Sequence, residues 1–402
     1  MDSLSRWESV VILVLCSGCW SEPALLQRDG GPMGDACGRE CPSGTECSSG
    51  VCAPLPSGCW RPVSSIGAPG GSVGVTPVWT GSEAIFWGGQ LLASAIATGG
   101  RYDPAQDRWT PMSTDGAPSG RTVYGAVWTG SLFVVYGGYG YGPNSFLYDG
   151  GRYDPTTDRW TRGVAISYRG ASGPVTGWTG SRMFVWSGGN GVDTPPLGVL
   201  YDPVANESTS VTRVGAPPGR SQAWPAPWTG TGVLVAGGGY AGGGIFDPVK
   251  NSWTPIASIG SPTPRSFDFG VWTGSSLVLW GGQDAINPAL FYGTGAMYDP
   301  TSDRWSTTST ARAPSVRAHH CMVWTGSRVL VWGGANGSAL LGDGAEFDPL
   351  RNAWSPMPAE GAPAPRSRHA CVWTGREMIV WGGRSADSDL TDGARYVPRC
   401  GR

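Results

Sequence analysis

The chemistry open to this 402-residue chain rests on ten cysteines, three histidines and a small set of arginines, because only 14% of its residues are charged. Four cysteines crowd into Cys37-Gly-Arg-Glu-Cys41-Pro-Ser-Gly-Thr-Glu-Cys47-Ser-Ser-Gly-Val-Cys52. Oxidised in pairs, they would staple a small module in one of three connectivities. Zinc is the other use of such thiols, but the paired Cys-x-x-Cys knuckles and a neighbouring His are missing. Disulfides are therefore the expectation for Cys37, Cys41, Cys47 and Cys52.

Five arginines, Arg121, Arg220, Arg265, Arg317 and Arg366, stand seven or eight residues before a recurring Trp-Thr-Gly. A guanidinium fork matches carboxylates and sulfates, so a ring of them could grip an acidic ligand. The same donors could instead serve loop carbonyls or an Asp of the next unit. Tyr139, Tyr141, Phe146, Phe291 and Tyr292 could stack on sugars or peptide side chains, or simply cover what lies beneath. His320 and His369 share a register four residues before Trp, beside His319, which suits either a metal pair or repeat-linked packing. Loop acids such as Asp193, Asp284 and Asp387 are what a carbohydrate-active enzyme would use. No HExxH or phosphate-cradling loop is found, and no catalytic set, metal site or cofactor is expected.

Positioning these residues requires the repeat. Trp-Thr-Gly occurs at 79, 128, 178, 228, 272, 324 and 373, seven times at intervals of 44 to 52. An apolar run ending in Gly-Gly follows each, then Tyr or Phe-Asp-Pro (Tyr396-Val-Pro in the last), then a Trp seven residues after the aromatic. Ser208 takes that last place in the third copy. Each unit reads as four short strands: runs such as Leu132-Phe-Val-Val-Tyr136 are apolar on both faces, as strands packed between neighbours must be. Thr-Gly makes one tight turn and Asp-Pro-x-x-Asp the next. A single unit cannot bury both faces, so the units must close into a ring.

Gly-Gly, Tyr-Asp-Pro and Trp in this order resemble the kelch repeat over about residues 59 to 402. The resemblance implies an all-β, seven-bladed β-propeller. It also implies that an Arg before the inner strand is commonly structural, and that the family includes enzymes such as copper radical oxidases and sialate mutarotases. The tyrosines, two histidines and cross-linkable Cys of the oxidase site are not assignable here, and the Ser-x-Asp-x-Gly-x-Thr-Trp box of sialidase propellers is absent. The seventh copy lacks its outer strand and Trp, and Cys59-Trp60-Arg-Pro-Val63 supplies them from the other end. In that register Cys59 and Cys400 flank one turn, close enough for a disulfide. Such a bond closes a loop of over 300 residues and is expected to contribute about 4 to 5 kcal/mol. Cys321 and Cys371 fall in the inner strands of blades six and seven with opposite parity, as an inter-blade disulfide needs; buried free thiols are the alternative.

Ahead of the repeats, Arg6 and the apolar run Val10-Val-Ile-Leu-Val-Leu15 precede Cys16-Ser-Gly-Cys19, which resembles a lipoprotein signal with Cys19 lipidated. An ordinary cleaved signal or a misplaced start codon is the alternative. The expected organisation is a signal over 1–18, a tether over 19–36, a Cys-rich module over 37–58 and the propeller over 59–402. A net charge of −2 gives no strong attraction to nucleic acid or anionic lipid, so membrane contact is expected only through the anchor. The expectation is a monomeric, non-enzymatic protein of the cell envelope, anchored to a bacterial outer membrane, that binds a protein or glycan. Its variable loops, Tyr139–Leu147, Asn190–Gly198, Gln283–Thr294 and Arg384–Leu390, all lie on one side, which marks the binding face.

Overall fold

The computed structural model describes residues 45–48, 51–54 and 58–400, apart from 71–72, 93, 141, 143–144, 164–172, 188–196, 220–224, 267–268 and 338. The chain divides into two compact units, Met1–Leu55 and Pro56–Arg402. In the first, Thr45–Ser48 and Val51–Pro54 form an antiparallel hairpin that sets Cys47 opposite Cys52. Cys19, Cys37 and Cys41 lie outside the described residues. No described helix is long and apolar enough to cross a membrane.

The second unit is all-β and forms the seven blades. In blade two, Gly125–Trp128, Phe133–Tyr136, Gly150–Asp154 and Arg159–Arg162 pair antiparallel in chain order, inner strand to outer. The second strands, such as Phe133–Tyr136 and Val329–Trp332, are buried at every position, as apolar-on-both-faces runs require. Blade four departs from the four-strand pattern. Only Val233–Ala236, Gly243–Asp247 and Ser252–Ile256 form its sheet. Pro225 and Pro227 fall where its inner strand belongs and have no N–H to donate. Pro225 instead forms a parallel bridge to Thr176 of blade three.

The ring closes as the repeat register requires. Cys59–Pro62 is the outer strand of blade seven, and Trp60 opposes Tyr396 as Trp160 opposes Tyr153. Cys59 and Cys400 are disulfide-bonded with Cα atoms 5.8 Å apart. Cys321 and Cys371 join blades six and seven, with Cα atoms 6.1 Å apart.

Two devices hold blade to blade. Buried second-strand tryptophans meet the outer Trp of the next blade in the pairs 87–160, 186–253, 280–354, 332–60 and 381–109, with centroids 4.7 to 5.4 Å apart. Such tilted pairs add about 0.5–1.5 kcal/mol each beyond the area they bury. The second device is a two-point clasp on one residue of the preceding blade: its N–H donates to a turn Asp or Asn, and its carbonyl accepts from the outer Trp Nε1. Ser64, Ser113, Thr212, Ala257 and Ser309 are all held so, at 2.7 to 3.0 Å. At the junction of blades six and seven the Trp60 indole donates to the carbonyl of Pro358. Blade seven has no described Asp at that turn, and the proline has no N–H to cap.

Candidate functional site

The short turns and the long loops lie at opposite ends of the strands. At the loop end, five blades carry a second tier of pairing above the sheet. Residues 73, 122, 266, 318 and 367, which lead into the inner strands, bridge to 90, 139, 283, 335 and 384. Those residues bridge on to 95, 146, 291, 340 and 389. The long loops are therefore folded back as short ladders rather than extended arches.

This tier decides the fate of the arginines. Arg121, Arg265, Arg317 and Arg366 are buried inside their own blades, so they do not form an exposed ring at the channel mouth. Arg317 shows why. Its Nε donates to Ser315 O, its Nη1 to Gly333 O and Asp343 O, and its Nη2 to Ser315 Oγ and the Asp343 carboxylate. Arg121 and Arg366 repeat the pattern with Asp149 and Asp392, while Arg265 uses Thr263 and Thr294 and lies 4.1 Å over the Tyr292 ring. Each guanidinium satisfies the carbonyls where the second strand leaves and the third returns. Burial pulls the Arg317 pKa down while the Asp343 hydrogen bond and charge oppose it. Arg220 and Tyr141 lie outside the described residues.

The aromatics are half-buried. Tyr139 and Phe146 pack on each other with centroids 4.9 Å apart, and Tyr292 donates to the Asp284 carboxylate. Asp284 also accepts from Ile286 and Asn287 N–H, so it caps its own loop. The Tyr292 bond, then those amides, hold its carboxyl below the usual range. Asp387 is exposed and Asp193 lies outside the described residues.

The histidines divide by depth. His320 and His369 are buried edge-on against Trp280 and Trp332, with centroids 5.5 and 5.2 Å away, the place Tyr124 takes against Trp87. Burial, then nearby Arg366, pushes the His369 pKa down to about 3. Burial, then Arg317 and His369, holds that of His320 well below its ordinary value. Among the described residues no three His, Cys, Asp or Glu side chains group as a metal site.

One set of residues at the mouth went unread in the sequence. In five blades the residue five before the inner-strand Trp takes a left-handed conformation: Gly74 (φ 72°), Val123 (φ 52°), Gly173 (φ 60°), His319 (φ 55°) and Arg368 (φ 55°); the equivalents in blades four and five lie outside the described residues. Their peptide groups link blades six, seven, one and two: Arg368 N–H to His319 O (3.0 Å), Gly74 N–H to Arg368 O (3.4 Å) and Val123 N–H to Gly74 O (2.9 Å). A left-handed Val is strained and held only by its surroundings. Arg368 is exposed, and among the described residues it stands in no ion pair. Partial burial, then the neighbouring Arg384, pulls its pKa down. Arg384 is itself neutralised by Asp389 at 2.8 Å, whose other oxygen accepts from Leu92 N–H of blade one. The two glycines in this register were the available signal, since they mark a position needing positive φ.

The fold and this site define a class: an all-β, seven-bladed propeller. Residues 244–398 match the model of the KLHDC2/KLHL20/DRC7 Kelch-repeats domain, a stretch running from the third strand of blade four to the third strand of blade seven. No curated protein matches the chain.

Proposed function

We propose that this is an exported binding propeller whose loop-rich face takes a protein or glycan ligand bearing acidic groups. The observation that carries this reading is Arg368: an exposed guanidinium without an ion-pair partner among the described residues, its backbone held by an arc of hydrogen bonds that runs from blade six to blade two at the loop end. A rigid mount lowers the ordering cost of engaging a ligand. Kelch propellers are typically protein-binding, and half-buried Tyr139, Phe146 and Phe291 offer apolar surface on the same face. The test is a glycan and acidic-protein binding array read with the native protein and Arg368→Ala. Signals that fall about tenfold in the variant, with an unchanged melting temperature, are expected. Equal binding by the two proteins would reject the assignment.

Export fits the two disulfides, which form in oxidising compartments. In this proposal residues 1–18 are the signal and Cys19 carries the lipid that holds the protein on the outer membrane. Cys19→Ser should move the protein from the membrane to the soluble fraction; continued membrane association contradicts lipidation at Cys19.

A further inference from the structure

The closing junction leaves a cleft on the opposite, short-turn face. In the other blades the third and outer strands are joined by an Asp-Pro or equivalent turn. In blade seven the third strand ends at Val397 while the outer strand begins at Cys59, and a disulfide replaces the turn. The result is a cleft of about 700 Å³ between the turns of blades seven and one.

Its charged lining is Arg61, Arg376, Arg395 and Arg399 against Asp103 and Glu377, four positive and two negative. Both acids are already engaged. Glu377 is buried 3.6 Å from Arg395 Nη1, and Asp103 accepts from Ala105 and Gln106 N–H. Arg61, Arg376 and Arg399 are exposed and, among the described residues, stand in no ion pair. Half-buried Trp79 and the Ser82 hydroxyl line the same cleft.

We propose that this seam is a second binding site, for an acidic saccharide carrying carboxylate or sulfate groups. Three guanidiniums outside any ion pair among the described residues supply forked donors for such anions. Trp79 supplies an aromatic body for the apolar face of a sugar ring. Most of the lining comes from turns, which offer an extended peptide little ladder to join. The site is independent of the loop-rich face.

Calorimetric titration of the intact protein at low ionic strength tests it, with a galacturonate tetrasaccharide, a heparin-derived tetrasaccharide, neutral chitotetraose and a hexaglutamate peptide. Binding of either acidic sugar, but not chitotetraose, is expected, and the arm that binds separates carboxylate from sulfate. Measured in an Arg368→Ala background, which removes the loop-face guanidinium, Arg61→Ala/Arg399→Ala should weaken it at least tenfold with the melting temperature kept, while Arg304→Ala leaves it unchanged. Silence from both acidic sugars in the Arg368→Ala protein, unchanged affinity on adding Arg61→Ala/Arg399→Ala, or tighter binding of hexaglutamate would each overturn the proposal.

Discussion

Arg317 and Arg368, both set before neighbouring inner strands, illustrate how little residue type alone reveals. Arg317 is fully buried with its donors committed to one loop, whereas Arg368 is exposed and in no ion pair among the described residues. Spacing could place both near the mouth, but the choice between them depends on which carbonyls the folded-back loop leaves unsatisfied. Arg317→Ala would strand three backbone carbonyls and the Asp343 carboxylate, and should cost about 2–4 kcal/mol by chemical denaturation. Arg317→Lys should recover only part of this, since an ammonium cannot reproduce the fork. The histidines make a pH prediction. His319, His320 and His369 are held neutral in the fold, with pKa values of about 4 for His319 (burial, then Arg368) and about 3 for His369, against an ordinary 6.5. Below about pH 6.5 the unfolded chain takes up protons that the folded one refuses, so stability is present above that pH and is lost as the pH falls towards 4 and 3. Each buried His contributes up to about 1.4 kcal/mol per pH unit between pH 6 and 5, where carboxylates hardly titrate. A His320→Gln/His369→Gln double variant should flatten that slope in urea titrations; an unchanged slope would count against burial of neutral imidazoles.

At the scale of elements, the turn chemistry was legible and its reach was not. Asp-Pro-x-x-Asp announces a turn, and the first Asp does cap its own amides, as Asp154 caps Thr156 N–H. The last Asp or Asn instead crosses to the neighbouring blade, which no reading of one repeat could show. Asp158 accepts from Ser113 N–H and Tyr153 O–H; burial opposes its ionisation, but the Tyr153 and Ser113 bonds outweigh it and lower its pKa. Asp158→Ala should cost about 1–3 kcal/mol and loosen blades one and two, read as faster amide exchange around Ser113. Exchange unchanged at Ser113 would contradict the clasp. Blade four carries the converse lesson: Pro225 and Pro227 stood in plain view, and the repeat pattern still suggested an inner strand that prolines cannot complete.

For the whole molecule, both proposed binding surfaces depend on a ring whose last blade pairs residues 59–62 with residues 393–397. The repeat register made this legible, because Trp60 filled the only vacant outer-Trp place at the end of the chain, and Cys59 and Cys400 followed from it. The seam cleft was not legible, since it exists only where strands that are distant in sequence meet without a turn. Loop-closure entropy assigns the Cys59–Cys400 bond about 6 kcal/mol, so Cys400→Ser should lower stability by several kcal/mol yet keep the strand pairing and the fold. The most direct measurement of closure is peptide mapping of the non-reduced protein. One peptide pair should join Cys59 to Cys400 and another Cys321 to Cys371. Recovery of Cys59 bonded to a cysteine of the 37–52 cluster, with Cys400 free, would contradict the closed ring on which both sites stand.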